Sequence, residues 1–220
     1  MVLKYFKLII GLLLYAVGIV ATINAKLGLS PWDVFHQGIS RQTGMTMGQA
    51  SILVGLVIVI INFFFKEKVG TGTILNMILI GWFLDLIMKN HILPEPDGII
   101  LRLLMLAAGM AIIGLACYLY LAAGLGAGPR DGVMVAIHKK TGKSVRFIRN
   151  SIEISVFIIG YFLGGTVGIG TIILSLGVGY VIQFVFTIFK FNVKTVKHNY
   201  IDDDIKRIFK KIKIENPEVL

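Results

Sequence analysis

Leu27-Gly28-Leu29-Ser30-Pro31-Trp32-Asp33 and Leu125-Gly126-Ala127-Gly128-Pro129-Arg130-Asp131 are two versions of one phrase, set 98 positions apart. The same offset carries Ala25, Ile39, Thr43 and Gly44 onto Ala123, Ile137, Thr141 and Gly142. It also carries Val69, Gly70, Gly72, Thr73 and Ile74 onto Val167, Gly168, Gly170, Thr171 and Ile172. Shared apolar composition would scatter matches among Leu and Ile. It would not align Pro, Asp, Thr-Gly and Gly-x-Gly-Thr at one gapless offset. The chain is a duplication, and its fold has to be read one repeat at a time.

The sequence around these phrases is made of apolar runs. Tyr5–Asn24, Gln49–Phe65, Thr73–Met88, Ile99–Ala123, Ile148–Leu163 and Thr171–Phe189 approach the roughly 17–25 residues that a helix needs to cross a bilayer. Only 15% of the 220 residues are charged, against roughly 25% in an ordinary soluble domain. The first run continues past Ala25 without a small-residue cleavage site, so it reads as a span and not a cleavable signal. The expected fold is an all-α membrane protein of about six transmembrane helices, in two three-helix repeats. Three crossings are an odd number, so the second copy should be upside-down relative to the first, an arrangement that recurs in secondary transporters. The expected boundaries are a first repeat over 1–98, a second over 99–191, and a cytoplasmic tail over 192–220.

The charge distribution agrees with six spans and both termini in the cytoplasm. Lys4, Lys7, Lys66, Lys68, Arg130, Lys139, Lys140, Lys143, Arg146, Arg149 and the eight basic residues from Lys190 onward then lie inside. Lys26, Arg41, Lys89 and Arg102 lie outside, an 18-to-4 split of the 22 Lys and Arg residues. That is the positive-inside bias. The net charge of +10 is spread over loops and tail, which excludes a nucleic-acid-binding module. The tail should form a basic amphipathic helix, with Ile201, Ile205, Phe209 and Ile212 on one face, lying on anionic lipid.

Each repeat has a connector too polar and broken to cross, Lys26–Gly48 and Gly124–Lys143. Ser30 has the chemistry of an N-cap, Pro31 suits the first helical position, and Asp33 sits where a capping box places its acid. Gly128, Pro129 and Asp131 repeat the pattern. Both short helices should end at Thr-Gly, Gly44 and Gly142, the usual left-handed stop. Such a helix is either re-entrant, allowed at depth only where protein or a cavity surrounds it, or lies amphipathically on the surface. Asp33 and Asp131 are either caps or ligands.

The halves differ where function is to be sought. Arg130 replaces Trp32, and Arg146, Arg149, Asn150 and Glu153 stand where the first half has Gly48, Ser51, Ile52 and Gly55. An ionisable residue inside a span is a site candidate by default, although Arg149–Glu153 also reads as an i, i+4 ion pair. The substrate- or ion-binding candidates are Ser30, Pro31, Asp33, Pro129, Arg130, Asp131, Asn150 and Glu153. Asp85 is expected to pair with Lys89, and Asn62, Asn76 and Gln183 to bond between helices. Gly70-Thr71-Gly72-Thr73 and its copy lack the Lys-Ser/Thr of a phosphate loop and read as turns. Cys117 reads as packing. No metal-ligand spacing, cofactor motif or catalytic nucleophile–base set is present, so neither cofactor nor enzyme activity is expected.

The doubled Leu-Gly-x-x-Pro-x-Asp … Thr-Gly … Gly-x-Gly-Thr pattern over about residues 5–190 resembles the YczE/YitT-like group of bacterial membrane proteins. The likeness rests on Gly28, Pro31, Asp33, Gly126, Pro129, Asp131, Gly142 and Gly170. It implies a multi-pass protein of the bacterial plasma membrane and names no substrate. The leading expectation is a small-molecule secondary transporter with a midplane site between the repeats, an exporter if it follows those relatives that have been classed with small-molecule or antibiotic exporters. A substrate-binding subunit of a multi-part importer and a membrane scaffold or assembly factor are the alternatives. Expected partners are membrane lipids, an unknown small molecule and a possible second copy of the chain, with no nucleic acid.

Overall fold

The computed structural model describes residues 2–196 and 198–200. Among these residues all regular structure is helical. The first half holds α1 (Val2–Asn24), α2 (Pro31–Thr43), α3 (Met47–Phe64) and α4 (Thr71–Lys89). The second holds α5 (Ile99–Ala122), α6 (Pro129–Thr141), α7 (Val145–Phe162) and α8 (Ile169–Ile188), then a short 3-10 turn at Val193–Thr195. The amphipathic tail expected through Ile201, Ile205, Phe209 and Ile212 lies outside the described residues.

The helices start where the repeat says they should. Thr46 and Gln49 cap α3 reciprocally, Thr46 Oγ1 accepting from Gln49 N at 3.1 Å and Gln49 Oε1 from Thr46 N at 3.0 Å. Ser144, 98 residues on, accepts from Phe147 N at 3.3 Å to start α7. Thr73 and Thr171 each take the backbone N–H of the glycine three residues earlier, Gly70 and Gly168, at 3.2 Å. α2 begins at Ser30 with Pro31 at the first turn, and its last turn closes on left-handed Gly44. α6 follows the same plan from Gly128 to Gly142.

α1 and α5 cross at the centre of the bundle. A Cβ on Gly18 would come within 3.0 Å of Gly109 O, and one on Gly109 within 3.0 Å of Gly18 O. Small residues at a crossing let two backbones approach and pack tightly where lipid offers no hydrophobic drive. Leu8, Leu12, Ala16 and Val20 of α1 and Leu106, Ala116 and Tyr120 of α5 are buried around that contact. α4 packs on α1, and α8 on α5.

Contacts between the halves come in matched pairs. Gly170 N donates to Leu27 O at 2.6 Å, and Gly72 N to Leu125 O at 2.7 Å. Each Leu-Gly phrase is thus tied to the Gly-rich turn of the other half, and Gly-x-Gly-Thr is a helix start docked on backbone. α2 packs against α7, and its matching helix α6 packs against α3. α2 buries Asp33, Val34, His36 and Gly38, so it is set into the bundle on that face.

α1, α3, α4, α5 and α8 are long and apolar enough to cross a membrane. The segment expected as the sixth span forms the 18-residue helix α7, which is not among these five, because Arg146, Arg149 and Glu153 occupy its first half. Phe162, Ile100 and Leu176 are 80%, 71% and 69% exposed on the rim. So much exposed apolar surface marks a face built for lipid. Cys117 is partly buried beside the Leu8–Tyr120 cluster, as packing.

Candidate functional site

The connector helices meet between the halves. α2 contributes Trp32, Asp33 and His36, and α6 contributes Arg130 and Asp131. The guanidinium of Arg130 lies 4.0 Å from the centroid of the Trp32 ring, a cation–π contact. Its Nη2 is 3.5 Å from His36 Nε2. His36 Nδ1 in turn sits 3.7 Å from Asp33 Oδ1, and Ser30 Oγ donates to Asp33 Oδ2 at 2.5 Å. Ser30, Asp33, His36, Arg130 and Trp32 therefore form one chain of contacts joining the two repeats. Burial holds the His36 imidazole below its ordinary pKa, the hydrogen bond to Asp33 acting against it. A neutral imidazole can receive from Arg130 while offering its other nitrogen to the carboxylate. Arg130 makes no ion pair among the described residues.

Asp131 is differently placed. Its carboxylate is met by the backbone of Gly128, and burial pushes it above the usual carboxylate range, against the pull of Arg149 and Arg130. Pro129 is buried, and its carbonyl accepts from Asn62 Nδ2 at 2.7 Å. Pro31 is partly buried at the start of α2. Asn62 thus bonds between helices as expected, whereas Gln183 is exposed and, among the described residues, bonds only within α8 through its carbonyl.

The α7 candidates separate. Glu153 takes a hydrogen bond from Arg149 Nε at 2.9 Å, the i, i+4 pair anticipated in the sequence. Asn150 is exposed and shares no side-chain bond with the cluster among the described residues. If the pair holds α7 together, Glu153→Gln lowers the melting temperature of the purified protein, and the exchange Arg149→Glu with Glu153→Arg restores it. An unchanged melting temperature in Glu153→Gln would free Glu153 for the central cluster.

Three participants escaped the sequence reading. His36 carries the link from Asp33 to Arg130, although its counterpart is Met134 and the repeat gave no reason to choose it. Tyr15 and Tyr120 pack edge-on at 6.3 Å from the two central helices. Both break the repeat, standing opposite Ile113 and Thr22, and that asymmetry was the available signal. One expectation is corrected. Asp85 does not pair with Lys89: it accepts from Thr46 Oγ1 at 2.5 Å and from Gly48 N at 2.8 Å. The free start of α3 offers hydrogen-bond donors aimed at a carboxylate, which a mobile surface lysine does not match.

Residues 2–187 match the model of a family of unknown function, DUF6198. The chain belongs to that family. The uncharacterized membrane protein YczE of Bacillus subtilis (strain 168) is 38% identical over 186 residues, 84% of this chain and 86% of its own. An uncharacterized protein of Haemophilus influenzae is 38% identical over 180 residues, 80% of this chain and 82% of its own. A second Bacillus subtilis relative, the uncharacterized protein YyaS, is 28% identical over 175 residues, covering 77% and 86%. No solved structure matches. With its apolar helices and its likeness to YczE, the DUF6198 chain is a membrane protein.

Proposed function

We propose that this DUF6198 protein is a small-molecule secondary transporter of the bacterial plasma membrane. In this reading it has six crossings, inverted halves, both termini in the cytoplasm, and a binding region around the two connectors. α7 is the sixth crossing. Like α3 it has 18 residues, and like α3 it runs between the levels of the two connector helices. Gly160 near its end abuts Val34 and Phe35 of α2, as Asn62 of α3 abuts Gly132 of α6.

The observation that carries this reading is the unequal fastening of the two faces. On the face of α2, taken as outer, Asp85 clasps the start of α3 to the end of α4, with Gly48 and Gly81 in backbone contact. Gln37 accepts from Thr166 N at 2.7 Å, Arg41 donates to Gly164 O and to Thr166 Oγ1, and Gln42 donates to Leu163 O at 3.0 Å. On the face of α6, taken as inner, the counterparts of the clasp are Ser144, Arg146, Gly179 and Gln183. A Cβ on Gly179 would meet nothing within 4 Å, and α7 and α8 scarcely touch. The ties of α2 are matched there by Lys139 with Glu67, at 2.8 Å. One face closed and the matching face loose is what alternating access requires of a single state, and repeats supply the opposite state by exchanging conformations.

The test uses Cys117→Ala as a cysteine-free background, with single cysteines at Ser30 and Gly128. The Gly128 position is expected to label faster at rest. Conditions that raise labelling at one position should lower it at the other, and reporter fusions should place the Gly142 loop inside and the Pro94 loop outside. Equal labelling under every condition, or a Gly142 loop on the outside, would remove the transporter reading.

A further inference from the structure

The two Gly-x-x-Pro-x-Asp signatures are chemically unequal, and the inequality falls at a cavity. Asp33 is answered by its own helix, with Ser30 Oγ on one carboxylate oxygen and His36 beside the other. At Asp131 the matching residues are Gly128 and Met134, and neither side chain has a donor to offer, which leaves the carboxylate only the backbone of Gly128. The surroundings differ in the same sense. Where Gln37 and Arg41 fill the space between α2 and the α7–α8 turn, Val135 and Lys139 leave a cavity of about 350 Å³ between α6 and the α3–α4 turn. That volume lies within the range of small-molecule sites.

The cavity is polar at both ends, with opposite chemistry. Deep in it lie Asp131 and Asn62. Asn62 is 2% exposed, its Nδ2 donates to Pro129 O, and its Oδ1 is buried without a hydrogen-bond partner. Two acceptors therefore line one cavity, and no side-chain donor answers either of them among the described residues. At the mouth are Lys66, Lys68 and Lys139, of which Lys139 is held by Glu67 and Lys68 lies over the ring of Tyr200, 5.3 Å from its centroid. A hard metal cation would find two oxygens where it takes six or more, with lysines repelling it. An ammonium group brings three N–H donors, which the missing serine and histidine leave unsupplied, and a positive charge to set against the Asp131 carboxylate.

We propose that this cavity binds a small molecule with a protonated primary amine at one end and an acidic group at the other. The amine rests on Asp131 and Asn62, and the acidic group faces Lys66 and Lys68. A free soluble zwitterion and the headgroup of an aminophospholipid share this chemistry. The inference deepens the transporter reading, in which such a molecule is the cargo.

The test is calorimetric titration of the purified full chain in detergent with phosphoethanolamine, using phosphocholine, which has no N–H donor, as the control. Phosphoethanolamine should bind, phosphocholine at least roughly tenfold more weakly, and Asp131→Asn should abolish binding, since a charge-assisted hydrogen bond is worth about ten- to a hundredfold in affinity. Gly128→Ser is the decisive variant. Its backbone φ is an ordinary −60°, and a Cβ there would stand 3.5 Å from both Asp131 Oδ2 and Tyr120 Oη. The new hydroxyl should cap α6 and satisfy Asp131 as Ser30 satisfies Asp33. The protein should melt higher and bind phosphoethanolamine roughly tenfold or more weakly. Absence of binding, equal binding of phosphocholine, or undiminished binding by Gly128→Ser would overturn the proposal. Competition by bilayer nanodiscs rich in phosphatidylethanolamine, but not by phosphatidylcholine ones, would assign the site to a lipid headgroup; indifference to bilayer composition would assign it to a soluble zwitterion. Titration in detergent needs no movement of the protein. Lost binding with opposed labelling intact retires the ligand alone, and static labelling with binding intact retires transport alone.

Discussion

Gly28→Ala is expected to prevent accumulation of folded protein, and Gly126→Ala to do the same. Both residues have positive φ, +110° and +119°, where an L side chain is strained. Both lie in the closest backbone contact between the halves. A Cβ on Gly28 would stand 2.5 Å from Gly168 N and 2.6 Å from Thr171 Oγ1. One on Gly126 would stand 2.7 Å from Thr73 Oγ1 and 2.8 Å from the Gly70 Cα. Relieving either clash moves the phrase away from the turn to which Leu27 O or Leu125 O is bonded. Backbone strain of about 1–3 kcal/mol, overpacking of about 1–3 kcal/mol and a weakened hydrogen bond of about 1 kcal/mol together approach the roughly 5–15 kcal/mol that holds a typical domain folded. Gly44→Ala and Gly142→Ala are the controls. Their φ values are also positive, +74° and +68°, but a Cβ at either meets nothing within 4 Å. Each should cost only about 1–2 kcal/mol, from the left-handed conformation alone. Expression level and detergent melting temperature read the difference. Similar losses at all four glycines would mean that the junction between the halves is not where stability resides.

The parts of this architecture that were legible in the sequence are those written locally. Ser30-Pro31 and Gly44 bound α2 because a cap, a fixed φ and a left-handed stop each need one residue type at one position. The Arg149–Glu153 pair was visible because i, i+4 neighbours meet on any helix. Asp85 was misread for the complementary reason. Lys89 is its neighbour along the chain, but Thr46 and Gly48 are its neighbours across α3 and α4, and no periodicity reports a contact between helices. The repeat aligned Arg130 with Trp32 as alternatives at one position. It gave no sign that the fold would stack one on the other. The choice between surface and inserted connectors was likewise undecidable from composition, since Trp32, Phe35 and His36 suit an interface as well as a bundle. The buried face of α2, through Asp33, Val34, His36 and Gly38, appears only once α7 is packed beside it.

Asp85→Ala is expected to reverse the labelling preference, with the Ser30 cysteine gaining reactivity and the Gly128 cysteine losing it. Asp85 receives hydrogen bonds from Thr46 Oγ1 and Gly48 N, and these are the polar fastening of the α3–α4 end. Hydrogen bonds to a charged group contribute about 1.5–3 kcal/mol each where water is excluded; Thr46 is exposed, so the pair is taken at the lower end. Losing about 2–3 kcal/mol from one of two states shifts their ratio by roughly 30- to 160-fold. The substitution would be ambiguous alone, because an opened clasp and a damaged fold both raise reactivity. The complementary experiment builds the clasp on the other face. Arg146→Gly with Gln183→Asp recreates, against Ser144, the arrangement that Gly48, Asp85 and Thr46 hold, and Gly179 already leaves room for the closer approach of α7 to α8. This double variant should protect the Gly128 cysteine and expose the one at Ser30, with the melting temperature unchanged or raised. A carboxylate that only stabilised its own helix start would not move labelling on the far face. If the transplanted clasp closes its own end while Ser30 stays protected, the two faces move independently, and alternating access by exchange between the repeats is ruled out.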